Sequence, residues 1–297
     1  MAYSSLRKGI LMAGGQGKRL APLTSAFSKQ LMPIYDKPMI YYSITTLMLC
    51  GIKNILVITD PVNIHLYQKL LGDGGKWGIE LSYAIQQNPE GVAQSVLIGE
   101  EFIGSSHIAI ALGDNIFHGN EFITLLRYSD GLKKGGSVFA YPVRDPENYG
   151  VLTFDSAGSV VGIEEKPENP RSQYVVTGLY FYDNTVVEKA KELNFSSRGE
   201  LEISDLNTMY LKDKLLNVNI MGRGIAWLDT GTIDSLQEAS QYIRTLEHRQ
   251  GLKIGCPEEV AWRQGWINDQ ELENLAVNLN MSGYGKYLIK ILELKIK

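Results

Sequence analysis

Short, almost uninterrupted apolar runs recur through the first half of the chain, and between them apolar residues return at helical spacing. Lys8 to Ala13, Asn54 to Thr59, Glu80 to Ile85 and His107 to Leu112 read as strands; Met39 to Cys50, Pro61 to Leu71 and Ala93 to Phe102 read as the intervening helices. Runs such as Ile55-Leu56-Val57-Ile58 and Ile108-Ala109-Ile110-Ala111-Leu112 keep no polar face for water, so they suit central strands covered by helices on both sides. This alternation predicts an α/β fold with a doubly wound, Rossmann-like sheet, whose ligands collect beyond the carboxyl ends of the strands. Asp60 and Pro61 offer the second helix a cap and a preset first turn.

From Ser137 onward the strands crowd together: Val138 to Val143, Gly150 to Phe154, Val160 to Glu164 and Val175 to Tyr182. Strands this closely spaced pair in mixed or antiparallel fashion, so the sheet is expected to be mixed, with these strands forming an inserted lobe that roofs a pocket from its far side. Helices near Thr185 to Leu193 and Ile203 to Leu211 and a strand at Leu216 to Met221 follow, and Ile233, Leu236, Ala239 and Ile243 form one apolar stripe on a further helix. Residues 1–246 read as the core, and 247–297 as a helical C-terminal extension that packs rather than catalyses. Within it, Asn268 and Glu271 have the spacing of a capping box ahead of Leu272, Leu275 and Ala276.

With 297 residues, 44% of them hydrophobic, the chain can close a large core. Twenty-nine basic residues against 33 acidic ones leave a net charge of −4, and no basic block offers a nucleic-acid surface. Cys50 and Cys256 are the only cysteines, too few for a disulfide framework or a thiolate cluster, and no apolar run reaches membrane-spanning length. A cytoplasmic protein without nucleic-acid or membrane partners is the expectation.

The first candidate for chemistry is the turn Gly14-Gly15-Gln16-Gly17-Lys18-Arg19 after the first strand. Glycines let backbone N–H groups approach an anion, and Lys18 and Arg19 add positive charge. A Walker A loop would need glycine where Met12 stands and a hydroxyl residue where Arg19 stands, and a dinucleotide fingerprint would need glycine in place of Leu20. Taken alone, the loop also reads as a plain strand-to-helix turn. Asp114 and Asp229 each follow an apolar strand, and two such acids are what Mg²⁺ needs when phosphate oxygens supply its other ligands; either acid by itself also reads as a turn or cap. Sequence spacing does not show whether they meet. Glu165 and Lys166 end another strand, where the lysine could meet a second phosphate or could belong to a surface turn. The four histidines form no zinc-binding pattern, and His118 reads as loop structure.

Several ordered blocks resemble the sugar-phosphate nucleotidyltransferase family over nearly the whole length: Gly14 to Thr24, Phe27-Ser28-Lys29-Gln30-Leu31-Met32-Pro33, Lys37-Pro38-Met39-Ile40, Leu112-Gly113-Asp114-Asn115, Glu165-Lys166-Pro167, Val176-Thr177-Gly178-Leu179-Tyr180 and Trp227-Leu228-Asp229-Thr230-Gly231. The family carries small hydroxyl residues where this chain has Gln16 and Lys18. The resemblance implies transfer of a nucleotidyl group from dTTP to glucose 1-phosphate with release of pyrophosphate, Mg²⁺ as cofactor, and a homotetramer. It implies catalytic roles for Arg19, Lys29, Asp114 and Asp229, the two acids holding the metal. Nucleotide contacts would come from Gly14, Gly15, Gly17, Arg19, Gln30, Gln86, Gly91 and Asp114, and sugar-phosphate contacts from Tyr149, Gly150, Glu165, Lys166, Val176 and Arg198. A UTP-dependent enzyme of the same kind and a non-catalytic nucleotide sensor remain alternatives. A glycosyltransferase would need an Asp-x-Asp motif, and Asp114-Asn115-Ile116 does not supply one.

Overall fold

Thirteen strands are distributed along the chain in the computed structural model, which describes residues 5–294 apart from residue 16; the reading of Gln16 lies outside the described residues. They are β1 (Lys8–Met12), β2 (Pro33–Ile34), β3 (Lys37–Pro38), β4 (Asn54–Thr59), β5 (Glu80–Ile85), β6 (Ile108–Leu112), β7 (Asn115–Gly119), β8 (Gly136–Pro142), β9 (Gly150–Phe154), β10 (Val160–Glu165), β11 (Tyr174–Tyr182), β12 (Leu216–Ile220) and β13 (Ile225–Asp229). Nine of them form one mixed sheet. Its parallel part is β6-β1-β4-β5, with β1 flanked by β4 and β6. Beyond β6 the direction reverses: β11 runs antiparallel to β6 and β8, and β8 carries β12 in parallel on its other edge. The start of β11 also reaches β9 through Val175 and Val151, and β9 pairs with β10, which builds the lobe over the strand ends.

Alternation along the central strands divides the core into two layers. Leu11 and Val57 pack with the helix Ile40–Leu49 and the C-terminal helices, whereas Ile10, Met12, Leu56 and Ile58 pack with Val96, Val187 and Leu206 on the opposite face. Both faces are covered, so every position must be apolar, each buried side chain contributing about 1.5–3 kcal/mol.

Several boundaries differ from the sequence reading. The segment expected as one helix from Ala93 to Phe102 is two, Gln94–Ile98 and Glu100–Ile103, meeting at Gly99, which lies against Ile10 and Leu56. Asp60 accepts the N–H groups of Val62 and Asn63, each at 3.0 Å, so it organises a turn, and the helix begins only at Ile64. His118 belongs to strand β7, paired with β13, rather than to a loop. Ile233 is exposed, so the buried stripe of the helix Ile233–Gln250 is carried by Ala239 and Ile243 with Leu236 beside them. The Asn268 and Glu271 capping box forms as expected, and Leu272 and Ala276 are fully buried. Helices Phe122–Gly131, Pro257–Arg263 and Gly283–Leu294 were not singled out individually from the sequence, although the last two lie in the extension expected to be helical. Among the described residues no helix is long and apolar enough to cross a membrane.

Candidate active site

Sheet register assembles the site. Met12 and Leu112 are partners at the ends of β1 and β6, so the glycine loop after one strand and Gly113-Asp114 after the other enter the same space. Asp229 is brought there by a separate pairing: β13 runs antiparallel to β7 and sets Asp229 opposite Asn115, beside Asp114. Thr230 locks this junction, donating its N–H at 3.3 Å and its hydroxyl at 2.9 Å to the Asp114 carbonyl.

Lys29, buried in a short turn at Lys29–Leu31, donates from Nζ to Asp114 Oδ2. Asn115 donates from Nδ2 to Asp114 Oδ1 at 2.9 Å, while its own Oδ1 accepts from Trp227 Nε1 at 2.6 Å and the Gly178 N–H at 3.0 Å. Burial pushes the Asp114 carboxyl up, but the Lys29 charge and the Lys29 and Asn115 hydrogen bonds outweigh it and hold it below the usual carboxylate range. The neighbouring Asp229 goes the other way. Burial and the Asp114 charge raise it, against Lys29, Arg19 and the Tyr149 hydroxyl that donates to it at 3.2 Å. Burial and the nearby Asp229 charge likewise raise the Tyr149 phenol.

Two cavities meet at this point. One, of about 460 Å³, is lined by Gly14, Gly15, Gly17, Lys18, Arg19, Lys29, Gln30, Gln86, Gly91 and Asp114, so every residue expected at the nucleotide reaches it. Gly15 and Gly17 sit at φ 101° and 55°, where side-chain-bearing residues are strained, which explains their presence in the loop. The second, of about 200 Å³, lies under the β9 to β11 lobe and is lined by Tyr149, Gly150, Glu165, Lys166, Val176 and Asp229. Arg19, Val92, Asp114 and Glu200 line both cavities. Lys166 has φ 44°, an unusual conformation for a lysine, fixed by its N–H donating to the Tyr149 carbonyl at 2.9 Å. Arg198 does not line the second cavity; its guanidinium is held by Glu165, Glu200 and Glu202 at 3.1 to 3.5 Å.

Asn115, Glu200 and Ser204, which donates to Glu165 Oε2, belong to this constellation; the last two were not singled out from sequence, and Asn115 stood in the Leu112-Gly113-Asp114-Asn115 block without a role of its own. Only Asn115 had a signal, its place directly after Asp114. Among the described residues no three His, Cys, Asp or Glu side chains gather to hold a metal unaided. Two adjacent carboxylates of which one is raised by the other's charge nonetheless suit a hard divalent cation, since Mg²⁺ keeps coordination positions for water and phosphate oxygens.

A sequence profile of the nucleotidyl transferase family matches residues 8–245. The chain belongs to that family. Similar members are the glucose-1-phosphate thymidylyltransferases of Neisseria meningitidis serogroup A, 54% identical over 286 residues that span 96% of this chain and 99% of the relative, and of Mycobacterium tuberculosis H37Rv, 51% identical over 286 residues with the same coverages. A Bacillus anthracis structure described as a glucose-1-phosphate thymidylyltransferase in complex with a sucrose superposes with a TM-score of 0.74 at 39% identity, covering 80% of this chain and 95% of that one. A UDP-glucose pyrophosphorylase solved with UDP-glucose shares the nucleotidyl transferase fold, at a TM-score of 0.70 and 24% identity over 81% of this chain and 99% of that one.

Proposed function

We propose that this chain transfers the thymidylyl group of dTTP to glucose 1-phosphate, giving dTDP-glucose and pyrophosphate. The observation that carries the reading is the pair of cavities that share Arg19 and Asp114, one walled by a glycine loop and the other by Lys166, Glu165 and Tyr149. The triphosphate lies along Gly14, Gly15 and Gly17 with the base toward Gln86 and Gly91, and the sugar phosphate lies beneath the lobe. A phosphate oxygen of glucose 1-phosphate attacks the α-phosphorus, and the bond from that phosphorus to the bridging oxygen of pyrophosphate breaks. A phosphate monoester carries a charge of about −1.5 to −2 near neutral pH, so its oxygen needs no protein base. The barrier is the approach of two anions.

Arg19, common to both cavities, offsets charge at the α-phosphorus, and Lys29 does so at the departing phosphates. Lys166 draws in the sugar phosphate, with Arg198 assisting from the rim. Asp114 and Asp229 would hold Mg²⁺, which when bound draws charge from the phosphate oxygens. Tyr149 orients Asp229, and Gly150, Glu165 and Val176 shape the sugar pocket. A homotetramer in the cytoplasm completes the proposal, with 247–297 as an extension of the core, a division supported by the family match ending at residue 245.

The test is a matrix of dTTP, UTP, dCTP and ATP against glucose 1-phosphate and other sugar 1-phosphates with Mg²⁺, following pyrophosphate and nucleotide-sugar together. Highest kcat/KM for dTTP with glucose 1-phosphate is expected; exclusive use of another pair overturns the substrate choice, and binding without pyrophosphate release overturns the reaction.

A further inference from the structure

Gln86 is buried at the wall of the larger cavity, and an amide can face a ligand with either its oxygen or its NH₂. Its orientation follows from a chain of partners whose hydrogen-bonding polarity is fixed. Gln94 Nε2 donates to Glu90 Oε2 at 2.6 Å, and a carboxylate accepts and does not donate. At the other end of the same amide, Gln94 Oε1 receives the Glu90 backbone N–H at 3.4 Å, and a backbone N–H only donates. Both contacts demand one orientation of Gln94. Its oxygen therefore faces Gln86, whose Nε2 donates to it at 2.6 Å and to the Gly91 carbonyl at 3.3 Å. The Gln86 NH₂ is engaged on both sides, and Oε1 is left for the cleft, 2.7 Å from where a side chain on Gly14 would begin.

We infer that Glu90 and Gln94 are specificity-determining positioning residues: they fix Gln86 as a hydrogen-bond acceptor, so that the cleft selects a base with a ring N–H and disfavours cytosine. This rests on the reading above that the base docks at Gln86. Thymine and uracil present N3–H, which Gln86 Oε1 accepts. Cytosine presents a bare N3, which would face the same oxygen lone pairs and leave two acceptors unpaired. Mismatches of that kind discriminate far more strongly than a methyl group does. The relay consequently separates dTTP from dCTP but not from UTP, whose difference lies in one methyl.

The experiment compares kcat/KM for dTTP and dCTP, with glucose 1-phosphate and Mg²⁺, in the full chain and its variants. In Gln94→Lys the new ammonium donates to both Glu90 and Gln86, turning the Gln86 NH₂ toward the cleft. The dTTP to dCTP ratio is expected to fall by about tenfold or more, through KM for dTTP, with KM for glucose 1-phosphate and Tm unchanged. The double variant Glu90→Gln with Gln94→Glu reverses the donor and acceptor between the two relay residues and still offers Gln86 an acceptor, so it restores the ratio. Gln94→Leu removes one of the two acceptors and leaves the Gly91 carbonyl at 3.3 Å as the amide's remaining partner, so it gives a smaller loss than Gln94→Lys and serves if the lysine variant does not fold. An unchanged ratio in Gln94→Lys and Gln94→Leu overturns the relay, as does a double variant as impaired as Gln94→Lys. Gln86→Leu separates the two levels: if KM for dTTP does not move, the base does not dock there and both readings fall. If it rises while the Gln94 variants keep the ratio, only the relay falls.

Discussion

Asp114 and Asp229 are held beside one another, and each ionises at the other's expense. Asp114 is stabilised as a carboxylate by Lys29, so its contribution to folding is present above the unfolded carboxylate range and fades as pH falls. Asp229, raised by burial and by Asp114, favours folding below that range and loses this as pH rises through its native value. Asp229→Asn removes the conflict, so at pH 7 it should raise Tm by about 2 °C or more while abolishing Mg²⁺-dependent turnover. The thermal gain should vanish on acidification; a gain that grows as pH falls would contradict the assignment. A second prediction concerns Gly231, where an added methyl would sit 2.7 Å from Arg19 Nη2. That guanidinium can move aside, so Gly231→Ala should fold normally yet lose about 10²-fold in kcat, measured beside a thermal melt. Asp114 and the glycine loop were legible in sequence because each follows an apolar strand, whereas Lys29, an isolated basic side chain, entered only through the resemblance carried by its block. That Asp229 joins them was not legible, because the β7 to β13 pairing links distant segments. Gln94 was equally silent, since an amide's role depends on the direction of its hydrogen bonds and leaves no mark on charge or hydropathy.

Strand β11 does two jobs, pairing with β6 in the sheet and reaching out to carry the β9–β10 lobe, and its register shifts between Val176 and Tyr180. Gly178 lies within that shift, where a Cβ would fall 2.6 Å from Asn115 Oδ1 and 2.7 Å from Leu112 Cδ1. Gly178→Ala must therefore displace either the sheet or the amide that steadies Asp114. A loss of about 1–3 kcal/mol in denaturant unfolding, together with a fall in kcat, is expected; unaltered kinetics would mean that Asn115 does not need this contact. The capping box supplies the contrasting case. Asn268→Ala should cost about 1 kcal/mol in stability and leave kcat and both KM values as they were, because this helix end lies outside both cavities. Strands of the main sheet, marked by apolar runs, could be read to within a residue or two. β7, no shorter than β1 or β6, could not, because Asn115–Gly119 begins at the Asp114 turn and pairs with β13 outside the main sheet.

The alternation of strands and helices announced the doubly wound sheet, but it carried no sign of how the last fifty residues attach. Cys256, Val260, Trp262, Leu288 and Ile291 share one apolar core with Leu47, Val57 and Trp77, and the helix Ile233–Gln250 runs unbroken past residue 246. Nothing in the hydropathy of either segment identifies the other as its partner. A four-charge cluster adds a specific tie: Lys37 Nζ meets Glu247 Oε1 at 2.8 Å and Asp36 at 2.6 Å, and Lys253 meets Glu247 Oε2 at 3.0 Å and also Asp36. Burial raises the Asp36 carboxyl, but Lys37 and Lys253 pull it lower still, so this tie is intact above the unfolded carboxylate range and weakens as pH falls. Glu247 also accepts the Ile254 N–H at 2.9 Å, a bond that a glutamine oxygen can keep. Glu247→Gln therefore isolates the charge, leaving the buried Lys37 and half-buried Lys253 ammonium groups against one carboxylate, and should lower unfolding free energy by about 3 kcal/mol. Adding Lys253→Met restores the balance with Asp36 and Lys37 still paired, so the double variant should recover much of that loss. Urea unfolding of the two variants at pH 7 reads the difference. Equal instability in both would show that the tie depends on shape rather than on charge, and that the extension is held by its apolar core alone.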